Sequence, residues 1–268
     1  NALVHYLVPR GLEQFSGGGW GTRDVCQGPA ELLLALGRHD ALRDLLRRVF
    51  SAQNADGDWP QWFMFYPRDA HIRAADSHGD IVFWPVVALA DYLVATGDAS
   101  LLDEPLPYFG EAAQAPLSEH LARALAVVQR RTIAGTLLVA YGHGDWNDAL
   151  QPADPAMREH LCSAWTVTLH HRMLRSLAAA WRRLGRQADA DHASAQAEAV
   201  ATEFERLLLV DGVLTGYASF ENGQATDYLL HPRDQRTGIH HSALAMVHAI
   251  ADELFAPEQA RAHAALIE

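Results

Sequence analysis

The sequence predicts an all-α toroid with its site at one rim. Three observations predict it. Apolar residues recur at helical spacing through most of the chain, no sustained alternating run rich in Val, Ile and Thr appears, and four polar, Gly- and aromatic-rich segments interrupt the helices. Leu32, Leu33 and Leu36, then Leu42, Leu45, Leu46, Val49 and Phe50, follow the i, i+3, i+4, i+7 pattern, broken at Gly37. Val86 to Ala95, Leu117 to Ile133, Leu161 to Leu184, Ala188 to Leu209, Ser242 to Phe255 and Pro257 to Ile267 continue it. Pro257 suits a first helical turn, and Gly97 and Gly185 suit C-terminal stops. A weak hairpin signal lies near Val213 to Tyr217. The four special segments are 16–28, 53–84, 141–156 and 211–238, and about one helical hairpin follows each. Antiparallel helix pairs return the chain to the end where they began, so all four segments are expected to gather there. No repeat signature supports a solenoid instead.

Composition narrows the function. The 268 residues carry 33 acidic and 21 basic side chains, a formal charge of -12, and every basic residue is an Arg. A nucleic-acid or anionic-membrane surface needs the opposite balance. With 49% hydrophobic and 20% charged residues the chain can bury a large core. Two cysteines, Cys26 and Cys162, are too few for a disulfide-built secreted fold, and no apolar run approaches the roughly 20 residues that span a bilayer. Asn1 leads into an apolar stretch rather than a signal peptide, so a cytoplasmic protein is expected. Leu3, Val4, Tyr6 and Leu7 read as the middle of a buried segment, and the chain stops inside the helix that begins at Pro257. Residues 1–268 are therefore expected to be part of a single catalytic domain, cut at both ends.

The special segments carry the chemistry. The first, Ser16 to Pro29, places three glycines before Trp20 and then Arg23–Asp24, a donor fork beside an acceptor pair that suits sugar hydroxyls. A local ion pair in a turn explains the same residues as well. The second holds Trp59, Trp62, Phe63, Phe65, Tyr66, Phe83 and Trp84 among carboxylates. Such faces can wall a pyranose, although Phe63 and Phe65 read better as packing under a long loop. His78 with Asp76 and Asp80 has no matched second cluster at ligand spacing, so no metal is expected. The third segment reads Y-G-H-G-D-W-N-D-A-L, Tyr141 to Leu150, with Asp145 and Asp148 flanking Trp146 and Asn147. A carboxyl beside an indole is partly desolvated, which raises its pKa and suits it to protonate a leaving oxygen. An Asp cap with a structural Trp is the plainer alternative.

Taken in order, these motifs resemble glycoside hydrolase family 94, the inverting disaccharide and oligosaccharide phosphorylases, which include the phosphorylase-like domain of cyclic β-1,2-glucan synthases. G-T-R-D-V-C-Q is similar to the family's G-x-R-D-x-x-Q, and S-H-G-D-I-V-F-W-P precedes a helix leading to T-G-D-A-S-L-L-D-E, Thr96 to Glu104. G-D-W-N-D resembles the catalytic-acid segment. The resemblance implies an (α/α)6 barrel, Asp148 as general acid, and a sugar pocket lined by Trp20, Arg23, Asp24, Gln27, Asp80, Asp145 and Trp146. Gly28 stands where many members carry Asp, and Gly79–Asp80 stands where they carry paired acids, which leaves the sugar and the linkage open.

An inverting phosphorylase needs one protein carboxyl, because phosphate itself attacks the anomeric carbon. The resemblance therefore implies no cofactor, inorganic phosphate as co-substrate, an oligosaccharide partner, and products that are an α-sugar 1-phosphate and a shortened saccharide. A homodimer stays open. An inverting hydrolase would need a second carboxylate roughly 6.5–9.5 Å from the acid, for which Asp80, Asp145 and Glu221 are candidates. A non-catalytic carbohydrate-binding module is the remaining alternative. His240 and His241 in T-G-I-H-H are superficial candidates for a phosphate site expected mostly after Glu268, so residues 1–268 alone are expected to be nearly inactive.

Overall fold

The computed structural model describes residues 19–64, 67–147 and 154–267. Phe65, Tyr66, Asp148 and the N-terminal apolar stretch lie outside the described residues. The helices are α1 (Thr22–Cys26), α2 (Gly28–Ala35), α3 (His39–Ser51), α4 (Phe83–Thr96), α5 (Leu117–Arg130), α6 (Ala164–Arg183), α7 (Gln187–Leu208), α8 (Ala243–Ala251) and α9 (Pro257–Ile267). Short strands join them: β1 (Gly19–Gly21), β2 (Trp62–Met64), β3 (Pro105–Pro107), β4 (Gln114–Pro116), β5 (Leu161–Ser163), β6 (Leu209–Val210), β7 (Val213–Leu214), β8 (Tyr217–Glu221) and β9 (Gln224–Leu229). They form the antiparallel pairs β1–β2, β3–β4 and β6–β7 and the sheet β5–β8–β9. The chain divides into two compact units, Asn1–Val128 with Ser176–Ala190, and Gln129–Arg175 with Asp191–Glu268.

In the first unit, α3 is amphipathic and buries Leu42, Leu45, Leu46, Val49 and Phe50. Helix α4 buries Phe83 to Ala90, Tyr92 and Leu93, as a helix apolar on all sides must. Gly97 ends it at φ 68°, its N–H bonded to Leu93 O at 2.8 Å, a backbone state open to glycine at little cost. The T-G-D-A-S-L-L-D-E stretch serves this packing. Asp98 accepts from the Tyr92 hydroxyl (2.7 Å) and from Ser100 N (3.1 Å), while Arg43 on α3 pairs with both Asp98 and Glu104.

The second unit corrects three boundaries. The helix expected from Leu161 begins at Ala164, because Leu161, Cys162 and Ser163 pair with Ser219, Ala218 and Tyr217. All three are buried, and so short an apolar run does not distinguish strand from helix. Helix α5 ends at Arg130, and Ile133 N bonds Leu138 O at 2.8 Å in the following turn. Helix α8 stops at Ala251, where Glu253 takes φ 57° and the N–H groups of Glu253 and Leu254 return to Ile250 O and Ala249 O, a Schellman closure without glycine.

The weak hairpin signal resolves into two hairpins. Asp211–Gly212 (φ 50° and 79°) joins β6 to β7, and Asn222–Gly223 (φ 49° and 74°) joins β8 to β9. Positive φ at both central positions is the turn that matches strand twist, and Asn-Gly and Asp-Gly are its preferred dipeptides.

Candidate active site

In the first unit, the described parts of segments 16–28 and 53–84 meet. Trp20 lies opposite Phe63 in the β1–β2 register, with ring centroids 6.0 Å apart edge to face. Thr22 locks the junction by donating its N–H to Gln61 O (2.9 Å) and its hydroxyl to Pro60 O (2.6 Å). Helix α1 then presents Arg23 to Asp80, with Nη1 and Oδ2 3.4 Å apart and side-chain exposures of 3% and 0%. Trp84 Nε1 donates to the same oxygen at 3.0 Å. Asp80 Oδ1 is buried with no hydrogen-bond partner among the described residues. Burial raises the Asp80 pKa against the opposing pull of Arg23 and the Trp84 N–H.

Asp24, half-buried, folds its carboxylate back over Gly21. A Cβ at Gly21 would lie 1.8 Å from Asp24 Oδ2, so a larger residue there would push this carboxylate aside. Gln27 closes α1 by donating its amide to Arg23 O at 3.3 Å. Most of the aromatics in the second segment serve the core. Trp59, Phe63 and Phe83 are buried, and Trp59 Nε1 donates to Val49 O at 2.7 Å. His78 is buried, and among the described residues no group of three His, Cys, Asp or Glu side chains is placed to hold a metal ion.

Asp80 carries a test of its own. Asn at this position keeps the shape but takes a counter-charge away from the buried Arg23 guanidinium, which is costly in a dry interior. Asp80→Asn is expected to lower the urea midpoint and to weaken saccharide binding. An unchanged midpoint would contradict this account of the pair.

In the second unit, the described parts of segment 141–156 meet segment 211–238 around the β5–β8–β9 sheet. Tyr141 N bonds Leu161 O at 2.7 Å, and the Tyr141 and Tyr217 rings lie 5.5 Å apart edge to face. Burial, with Asp145 nearby, pushes both phenols upward. Asp145 is buried, with Oδ1 accepting from Asn147 N at 2.9 Å and Oδ2 from the Ser163 hydroxyl at 2.7 Å. Trp146 is 47% exposed and leans on the buried Trp165, centroids 6.2 Å apart. Trp165 meets His248 of α8 edge to face at 5.9 Å. Glu221 is exposed beside the Asn222–Gly223 turn.

Tyr141, Tyr217, Ser163 and Trp165 were not singled out from sequence. Of these only Ser163, a serine immediately before a helix, carried a local signal, and that signal reads as a cap.

Residues 15–223 match the model of the glycosyl hydrolase 94 superfamily catalytic domain. The chain belongs to this family. The family 94 chain is 38% identical over 266 residues to a 1,2-beta-oligoglucan phosphorylase of Listeria innocua serovar 6a, covering 96% of this chain and 24% of that protein. It is 31% identical over 169 residues to the cyclic beta-(1,2)-glucan synthase NdvB of Rhizobium meliloti, covering 56% of this chain and 6% of that protein. It thus spans about a quarter or less of the curated relatives it matches. In fold it is similar to a rhamnosidase from Klebsiella oxytoca with rhamnose bound, at TM-score 0.57 and 16% identity over 87% of this chain and 39% of that one. It is also similar to a sugar epimerase from a ruminal bacterium, at TM-score 0.52 and 12% identity over 93% of this chain and 59% of that one. No helix among the described residues is long and apolar enough to cross a membrane.

Proposed function

We propose that the protein carrying this chain phosphorolyses β-1,2-linked gluco-oligosaccharides with inversion, and that the chain supplies the general acid and part of the sugar pocket of an (α/α)6 barrel. The observation that carries the reading is the buried Arg23–Asp80 pair. Asp80 keeps one buried oxygen without a hydrogen-bond partner among the described residues. A buried carboxylate oxygen left open is costly unless a ligand completes it, and a sugar hydroxyl is a donor of the right kind. The identity to the Listeria phosphorylase supports the linkage and the class of reaction.

In this proposal Asp148 protonates the glycosidic oxygen while phosphate attacks the anomeric carbon from the opposite face. The C–O bond to the leaving saccharide breaks as the C–O bond to phosphate forms, giving an α-sugar 1-phosphate. Phosphate arrives already anionic, so no protein base is required. Arg23, Asp24, Asp80 and Trp146 would hold the transferred glucosyl unit, with Trp20, Gln27 and Asp145 around it. The barrel, with the special segments gathered at one rim, rests on the family and on the spacing of those segments. No cofactor takes part, and two buried cysteines outside any disulfide suit a cytoplasmic setting. A homodimer remains compatible with this reading.

The test is a product assay on the full-length protein with a β-1,2-gluco-oligosaccharide, with and without inorganic phosphate. The expected result is α-glucose 1-phosphate formed only when phosphate is present. Free reducing sugar released at equal rates in both would make it a hydrolase.

A further inference from the structure

The geometry points to Ser163 as a positioning residue for the catalytic turn, acting through Asp145. The inference rests on the reading of Asp148 as the acid. It adds a residue that lies outside every segment singled out from sequence.

The turn leading to Asp148 is fastened to the sheet at several points between Tyr141 and Asn147. Tyr141 N bonds Leu161 O (2.7 Å) and Gly142 N bonds Arg158 O (3.0 Å), which hold the entrance of the turn. Beyond Gly142, side chains attach the turn as well. The Ser163 hydroxyl donates to Asp145 Oδ2 at 2.7 Å, and Asp145 Oδ1 accepts the Asn147 N–H at 2.9 Å. One carboxylate therefore joins the rigid strand β5 to the backbone N–H of the residue immediately before Asp148.

Ser163 is suited to be the fixed end. It is buried, its strand position is set by pairing with Tyr217, and Ala164 N bonds Gly216 O at 3.0 Å directly after it. Two residues further on, Trp165 backs the exposed indole of Trp146. The junction of β5 and α6 thus grips the turn at Asp145 and at Trp146. A serine before a helix is ordinarily read as its cap, but this hydroxyl proton is committed to a carboxylate 18 residues away. Hydrogen bonds to a charged acceptor are short and directional, so losing one lets the turn tilt without unfolding the sheet.

In the full-length protein, Ser163→Ala is expected to lower kcat for saccharide cleavage about 10- to 100-fold, since small misplacement of a catalytic group costs rate on that scale. KM should change little, the melting temperature should stay near wild type, and Ser163→Thr, which keeps the hydroxyl, should recover most of kcat. Cleavage is scored as total saccharide broken, with and without phosphate. A wild type that hydrolyses would overturn phosphorolysis and still leave the Ser163 comparison readable. Hydrogen exchange decides independently of turnover. The Asn147 amide should exchange at least about tenfold faster in Ser163→Ala while the amides of α6 stay protected. Unchanged Asn147 exchange, an unchanged kcat, or losses in kcat and melting temperature that both variants share would overturn the proposal.

Discussion

Asp148→Asn lowers kcat of the full-length protein by at least about two orders of magnitude, the range in which a positioned general acid contributes. Asp145→Asn lowers it less. The contrast follows from what holds each carboxyl. Both Asp145 oxygens accept hydrogen bonds within the protein, from Asn147 N and from Ser163. A carboxyl so engaged is tied into the turn and is poorly placed to deliver a proton to a leaving oxygen. Asp148 follows Asn147, whose N–H closes the Asp145 turn, and stands two residues after the exposed Trp146. Steady-state kinetics on both single variants checks the assignment. An inactive Asp145→Asn beside a functional Asp148→Asn would reverse it.

The second unit loses stability on acidification between about pH 6.5 and 4. Burial lowers His170 and His171 on α6 to about 4 each, with the neighbouring His171 a further cause at His170 and Arg175 at His171. His263 is lowered too, and its geometry agrees. Its Nε2 accepts the Leu214 N–H at 3.1 Å, which a protonated ring could not do. For each of these histidines the unfolded chain binds the proton more tightly than the fold does. Stability is therefore complete above the ordinary histidine value near 6.5 and is lost as the pH falls toward the folded value. Asp252, raised to about 6 by burial, acts oppositely and offsets part of the loss. With the opposing Asp252 included, the net loss by pH 4 is on the order of 3 kcal/mol, a large share of a domain's usual margin. Urea midpoints measured from pH 7 to pH 4 should fall steadily. A flat profile would mean that these histidines are accessible and unperturbed.

Much of this was legible because it is local. The α3 stripe Leu42, Leu45, Leu46, Val49, Phe50 and the stops at Gly97 and Gly185 depend on neighbours within a turn or two, and each stands where its spacing indicated. Asp211–Gly212 and Asn222–Gly223, which turn the two hairpins, are local too, but the residue pattern predicts only a weak hairpin near Val213 to Tyr217. Arg23–Asp24, Asp80 and G-D-W-N-D stood out because such polar and aromatic residues are expensive in helical packing unless a site or a turn uses them.

The pairings came from distance in the chain. Nothing near Arg23 indicates that it reaches Asp80, 57 residues on. Nothing near Leu161 separates strand from helix until Tyr217 to Ser219 supply the missing hydrogen bonds. The same pairing places the Ser163 hydroxyl on Asp145. A sequence states which groups must be satisfied; which distant atom satisfies each is settled by packing, because a buried polar atom takes the partner the fold brings within about 3 Å.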